Sequence, residues 1–182
     1  MISRFVFSGT GGQGVITAAI LLAEAAIYYE QLNAVQTQTY GAEARGGAAR
    51  ADVIISSEEI KFPKVVEPDV LICLSQLSFD KYSWIVRPGG FVVLDQHFVH
   101  RRQSLNARCV ELPLHDTVLN TQGDDRNLNL ALLGALASLV DFIRIDAIRQ
   151  VVVDRFGAGA NRGKLEAVEI GHGLVSRAMK VF

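Results

Sequence analysis

Short apolar runs alternate with longer helical patterns along most of the chain. Phe5–Ser8 reads as a first strand, and Val15–Gln31, rich in Ala and Leu, as a first helix. Asn33–Tyr40 alternates its side chains with period two and predicts a second strand; Ala49–Ser56 predicts a third. The segment EEIKFPKV offers a short edge strand or a turn around Pro63. Asp69–Leu74 is a continuous apolar run after Pro68, as expected of a strand covered on both faces. A helix over Gln76–Trp84 follows, then the turn Pro88-Gly89-Gly90, the buried strand Phe91–Asp95 and a further strand over Arg108–Leu112. The second half turns helical over Asn127–Val140, Ile145–Phe156 and Lys164–Lys180.

This order predicts an α/β class: a three-layer α/β/α single domain spanning 1–182, with a mixed, mostly parallel sheet and a Rossmann-like first strand-loop-helix. The sheet is expected to be mixed because Gly41–Gly47, the loop between strands two and three, is too short for a parallel crossover and long enough for an antiparallel return. No internal repeat or low-complexity tract breaks the pattern.

Composition narrows the function classes. Apolar residues make up 49% of the 182 positions, and mean hydropathy is +0.24. No apolar run reaches the roughly 18 residues of a membrane span, and the N-terminus lacks the charged-then-apolar layout of a leader. Surface buried against partner subunits is the remaining explanation for so apolar a chain. A formal net charge of -1 gives no electrostatic reason to expect nucleic acid or an anionic membrane. Cys73 and Cys109 stand far apart and outside any CxxC pattern, so neither an iron–sulfur cluster nor a zinc knuckle is encoded; a cytoplasmic location with both thiols buried is expected.

The candidate chemistry begins at SGTGGQGV. Gly9, Gly11 and Gly14 match G-x-G-x-x-G between a strand and a helix, the context that a phosphate-cradling loop requires. The rest of the dinucleotide fingerprint is missing. The end of strand two, where an acid would hold the ribose hydroxyls, carries Gln36, Gln38 and Tyr40. Another anion, or a tight turn packed against a neighbour, stays open for Gly9, Gly11, Gly12, Gln13 and Gly14. Gln13 either turns its amide toward a ligand or partner or caps the loop internally.

The same two readings apply elsewhere. Tyr40, Glu43 and Arg45, hemmed by Gly41, Gly46 and Gly47, form either a partner- or ligand-facing surface or an internal Glu43–Arg45 contact. Asn129 is expected to bond to the backbone of the glycine loop, with a ligand contact as the lesser alternative. Asp52 is expected to pair with Arg50 or Arg45, and Asp125 or Asn127 to cap the helix that follows. His97, His100, His115 and His172 show no metal-ligand spacing, and solvated or structural roles are expected. Lys64, Arg101, Arg102 and Arg108 read as solvated cations, with the phosphate groups of a ligand as the alternative. No catalytic residue is assigned, since no Ser/His/Asp or Cys/His set has supporting neighbours.

GTGGQGV at Gly9–Val15 and TQTYGAEARGGAARADVIIS at Thr37–Ser56 occur together, followed in order by EIKFPKV, PDVLICLSQ, PGGFVVLD and NLALLGAL. In this combination the chain resembles the gamma subunits of 2-oxoacid:ferredoxin oxidoreductases, and TQTYGAEARGG most resembles those of the 2-oxoglutarate enzymes. The resemblance implies a multi-subunit oxidoreductase converting a 2-oxoacid, coenzyme A and oxidised ferredoxin to acyl-CoA, CO2 and reduced ferredoxin, or the reverse. It implies alpha, beta and ferredoxin-like delta partner subunits that carry thiamine diphosphate, Mg2+ and [4Fe-4S] clusters, none held by this chain alone, and an isolated chain able to homodimerise. An indolepyruvate or branched-chain 2-oxoacid enzyme is the alternative within the family, and a free-standing nucleotide-binding oxidoreductase the alternative outside it. GDDRN at Gly123–Asn127 lacks the third position and the spacing of a thiamine site.

Overall fold

In the computed structural model, which describes residues 1–39, 48–101, 104–157 and 162–178, six strands form one sheet in the order β2-β3-β1-β4-β5-β6. The strands are β1 (Ile2–Gly9), β2 (Asn33–Thr39), β3 (Ala49–Ser56), β4 (Val70–Cys73), β5 (Phe91–Asp95) and β6 (Arg108–Leu112). The helices are α1 (Val15–Glu30), α2 (Gln76–Tyr82), α3 (Leu114–Gln122), α4 (Leu128–Leu139), α5 (Ile145–Phe156) and α6 (Arg162–Ala178), with a 3-10 turn at Ser83–Ile85. β1, β4, β5 and β6 run parallel, while β3 is antiparallel to both β1 and β2. The mixed sheet follows from the short β2–β3 connection, which only an antiparallel return can satisfy.

The sheet is covered unevenly. On one face, Phe5, Phe7, Val53, Ile55, Ile72 and Val93 join a core shared with α1, α3, α4, α5 and α6. The alternate residues Val6, Ile54, Leu71, Cys73, Val92 and Leu94 face a smaller cluster with Phe79 and Ile85. The period-two alternation of a strand produces this division. β4 is buried at every position, as its unbroken apolar run requires. The second helical layer is therefore thin, holding α2 and the 3-10 turn.

α1 buries five alanines, Ala18, Ala19, Ala23, Ala25 and Ala26, together with Leu21 and Leu22. The small residues let its axis approach the sheet while the leucines fill the gaps between strands. α4 and α6 cross still more closely. A Cβ added at Gly134 would fall 1.9 Å from the Val168 carbonyl oxygen, and one at Gly171 would fall 1.7 Å from that of Ala131. Glycine there permits backbone-to-backbone contact that no other residue allows.

Several boundaries differ from the sequence-based expectation. α3 was not expected: it shows no clear apolar stripe, and β6 delivers its Leu114 and Val118 onto the larger core and its His115 against His97 and Phe98. Residues 57–68 form no strand, so EEIKFPKV is a turn segment. The helix after β4 stops at Tyr82 and tightens into the 3-10 turn. Its start was legible: Ser75 accepts from the backbone N–H of Ser78 at 3.1 Å, and the Ser78 hydroxyl receives the Ser75 N–H at 3.2 Å, a reciprocal capping box.

Candidate functional site

The parallel strands end along one edge of the sheet, at Gly9, Cys73, Asp95 and Leu112. Ala49 is paired with Gly9, and Thr39 with Arg50, so the chain on either side of residues 40–47 reaches the same edge. Open α/β sheets gather their sites at the carboxyl ends of parallel strands. Tyr40, Gly41, Glu43, Arg45, Gly46 and Gly47 themselves lie outside the described residues, as does Arg102.

The glycine loop leaves β1 at Gly9 and enters α1 at Val15. Gln13 fixes its shape from within: its Oε1 accepts the Thr10 N–H at 2.7 Å, and its Nε2 donates to the Leu74 carbonyl at 2.6 Å. Of the two readings open for Gln13, the internal one holds. A Cβ on Gly9 would meet Gln13 Oε1 at 2.5 Å, so that glycine makes room for the glutamine. Gly12 and Gly14 have φ of +93° and +70°, and Gly14 takes the left-handed conformation at the N-cap of α1. Among the described residues no side chain caps α1, and its first turn holds no acid. Its leading N–H groups and positive dipole end are thus left for whatever approaches the loop.

Thr10–Gly14 line a cleft of about 370 Å³ with Phe98, Asp125, Arg126, Leu128 and Asn129. A neighbouring cleft of about 380 Å³ shares Arg126 and Asn129 and adds Thr17, Phe156 and Lys164. Asn129 is half-buried against Gly14. No hydrogen bond joins it to the described part of the loop, so the expected backbone bond is replaced by van der Waals contact, and the amide faces both clefts. Arg126 is exposed and held by Asp124 at 2.6 Å. Gly11 and Gly12 have open space where a Cβ would be. A backbone wall with uncapped N–H groups, a cation and an amide without a hydrogen-bond partner among the described residues suits a carboxylate, a phosphate or a partner's backbone carbonyl. Phe98, Asp125, Arg126 and Leu128 were not legible as cleft residues, because they arrive from two separate loops.

The remaining expectations divide. Asp52 does pair with Arg50, at 2.7 Å. Asn127 stands at the N-cap of α4 without a side-chain cap bond and instead donates its amide to Gln122 at 2.9 Å, while the Asp125 carboxylate turns toward His115; neither side chain caps the helix. Arg101 is paired with Glu111, and Arg108 lies over the Phe91 ring. The histidines do not all stay apart: His97 and His115 meet around Asp116 beside the cleft. The cleft of about 570 Å³ lined by Val66, Trp84, Pro88 and Leu105 lies at the opposite, amino edge, where Trp84 is 77% exposed. It is larger and also lined by Glu67, Ser83, Ser104 and Asn106, but among the described residues it has neither a cation nor a glycine-loop backbone, so size does not select the site.

Two observations count against a dinucleotide. β2 is separated from β1 by β3, so a residue at its end stands two strands from the glycine loop. β2 also carries no carboxylate. The cysteines do not fit an iron–sulfur cluster, which takes about four ligands. Cys73 and Cys109 are unpaired. Cys73 is sealed in the smaller core, where burial pushes its thiol up to about 12 against a weaker opposing hydrogen bond from Ser78. Burial also raises the Cys109 thiol.

Comparison with known proteins gives the family and the fold. Residues 4–180 match the family described as pyruvate ferredoxin/flavodoxin oxidoreductase. The 2-oxoglutarate synthase subunit KorC of Methanocaldococcus jannaschii is 36% identical over 167 residues, 91% of this chain and 89% of that protein. The gamma subunit of a keto/oxoacid ferredoxin oxidoreductase from Geobacter sulfurreducens superposes with a TM-score of 0.89 at 31% identity, covering 98% of each chain. A 2-oxoglutarate:ferredoxin oxidoreductase from Magnetococcus marinus, solved with 2-oxoglutarate, coenzyme A and succinyl-CoA, shares the fold at a TM-score of 0.86 and 24% identity, over 97% of this chain and 31% of that one. With nearly its whole length matched, the chain belongs to the pyruvate ferredoxin/flavodoxin oxidoreductase family.

Proposed function

We propose that this chain is the gamma subunit of a 2-oxoglutarate:ferredoxin oxidoreductase and forms a single domain over 1–182. The observation that carries the reading is its near end-to-end match to a 2-oxoglutarate synthase subunit, at 36% identity. In the assembled enzyme, 2-oxoglutarate and coenzyme A give succinyl-CoA and CO2, and the electron pair released on decarboxylation passes to ferredoxin. Thiamine diphosphate, Mg2+ and [4Fe-4S] clusters reside in alpha, beta and ferredoxin-like delta subunits in the cytoplasm. The thiamine group supplies the carbanion chemistry of decarboxylation.

This chain's own residues bind and orient. The uncapped start of α1, the backbone of Gly11 and Gly12, and Arg126 offer donors and positive charge to an anionic group of the substrate or of coenzyme A, or to the partner's backbone. Gln13 keeps the loop in shape. Tyr40, Glu43 and Arg45 are assigned the same partner- or ligand-facing role in this reading, because Thr39 and Ala49, the strand ends that precede and follow them in the chain, reach this edge. Exposed Phe62, Val66 and Trp84 add apolar area suited to burial by a partner subunit or, in the isolated chain, by a second copy.

Purification of the complex from its native source through a tag on this chain tests the reading. Thiamine- and cluster-carrying subunits are expected in the eluate, with CoA-dependent reduction of ferredoxin that is fastest on 2-oxoglutarate. A chain that elutes without them overturns the assembly. A preference for indolepyruvate or a branched-chain 2-oxoacid overturns the substrate.

A further inference from the structure

Beside the glycine-loop cleft, the carboxyl ends of β5 and β6 bring together a group of side chains that the proposed reaction does not use. Asp95 closes β5 and is fully buried. One of its oxygens accepts the backbone N–H of His97 at 2.8 Å, and the other accepts that of His115 at 2.7 Å. A single carboxylate thus fixes two loops that are distant in sequence. The imidazole rings lie face to face with centroids 4.0 Å apart and planes inclined by 30°, and Phe98 packs its edge against both. Asp116 Oδ1 is 2.9 Å from His97 Nδ1 and 3.0 Å from His115 Nδ1. On the far side of the second ring, Asp125 Oδ2 lies 3.5 Å from His115 Nε2.

We propose that His97, His115 and Asp116 form a binding site for a divalent transition-metal ion of the zinc class. One ligating atom from each residue lies within 4.8 Å of the other two. Ligands of a four-coordinate zinc-class ion stand about 3.3 Å apart, so small side-chain rotations suffice. Two imidazoles and one carboxylate are a donor set of intermediate softness, which suits Zn2+, Co2+, Ni2+ or Cu2+ and not the all-oxygen shell that Ca2+ and Mg2+ prefer.

The surroundings fit as well. An imidazole that binds through Nδ1 carries its proton on Nε2. For His115 that proton would point at Asp125, the carboxylate partner that metal-binding histidines usually have. The Asp95 bonds hold both histidine backbones in place before any ion arrives, which lowers the ordering cost of binding. Asp116 and Asp125 set negative charge on either side of the His115 ring, which favours a cation there. His97 and Asp116 are exposed, so the remaining coordination positions face solvent and stay open to water or another ligand.

Co2+ titration of the full-length chain, without an oligohistidine tag and after chelator treatment, tests the site. A visible absorption band and saturable binding are expected, with Zn2+ displacing Co2+. His97→Ala and Asp116→Asn change exposed side chains, and each is expected to abolish the band while the circular dichroism spectrum stays unchanged. Asp125→Asn is expected to weaken binding by about tenfold, and His100→Ala to leave it intact. Failure to bind Co2+ or Zn2+ at concentrations up to about 1 mM overturns the proposal, as does binding that survives both His97→Ala and Asp116→Asn.

Discussion

Asn129 of α4 stands directly against Gly14 of the glycine loop: a Cβ on Gly14 would lie 2.8 Å from Asn129 Nδ2 and 3.0 Å from Asn129 Cβ. The contact locks the entry of α1 onto the start of α4. Gly14 also has φ of +70°. Gly14→Ala therefore meets both a steric and a backbone penalty and is expected to destabilise the chain by about 2–4 kcal/mol. Pairing it with Asn129→Gly should return only the steric part. Thermal unfolding of the two single variants and the double variant measures the split; full recovery in the double variant would show that the backbone conformation costs nothing.

Gln13 connects the loop to the end of β4 through one acceptor and one donor bond. Gln13→Glu keeps the acceptor for Thr10 but sets a carboxylate oxygen against the Leu74 carbonyl. A loss of about 1–3 kcal/mol is expected, with weaker retention of partner subunits in a tagged purification. Equal stability in urea would mean that the amide is dispensable.

The α4–α6 crossing admits no side chain at Gly134 or Gly171, since a Cβ at either would penetrate a backbone carbonyl of the facing helix. Gly171→Ala is expected to cost about 3 kcal/mol or more, whereas Gly173→Ala, with open space at its Cβ, should be near neutral or stabilising, as alanine favours helix by about 1 kcal/mol. Chemical denaturation of the two variants gives the comparison.

Cys73 is held as a neutral thiol by burial, with its titration pushed up to about 12. Alkylation of the native chain at pH 8 is expected to label Cys109, which is half-buried, and to spare Cys73 until the chain unfolds. Because the folded state keeps this proton more tightly than the unfolded state, the contribution of Cys73 to stability is intact below about pH 9 and declines as pH climbs toward 12. Cys73→Ala should remove that alkaline component of the pH-dependence. Rapid labelling of Cys73 in native protein, read by mass spectrometry, would contradict its enclosure.

Much of the architecture was legible in local pattern. β3, β5, β6 and α5 match the expected segments residue for residue, because period-two alternation, unbroken apolar runs and turn glycines are local signals. The mixed sheet was legible too, from the length of one loop. α3 was not, because its three buried residues acquire their burial from where β6 ends and not from a stripe of their own.

The sequence by itself determined the α/β class, the strand-loop-helix around SGTGGQGV and the resemblance that family membership bears out, since each resides in contiguous residues. Only the tertiary structure decided which groups share the carboxyl edge. It turned Gln13 inward, set Asn129 against Gly14, brought Arg126 over the glycine loop, and joined His97 to His115 and Asp116 across 18 residues of chain. Spacing along the chain carries no record of such pairs, because parallel strands deliver to one edge residues that crossover connections keep far apart in sequence.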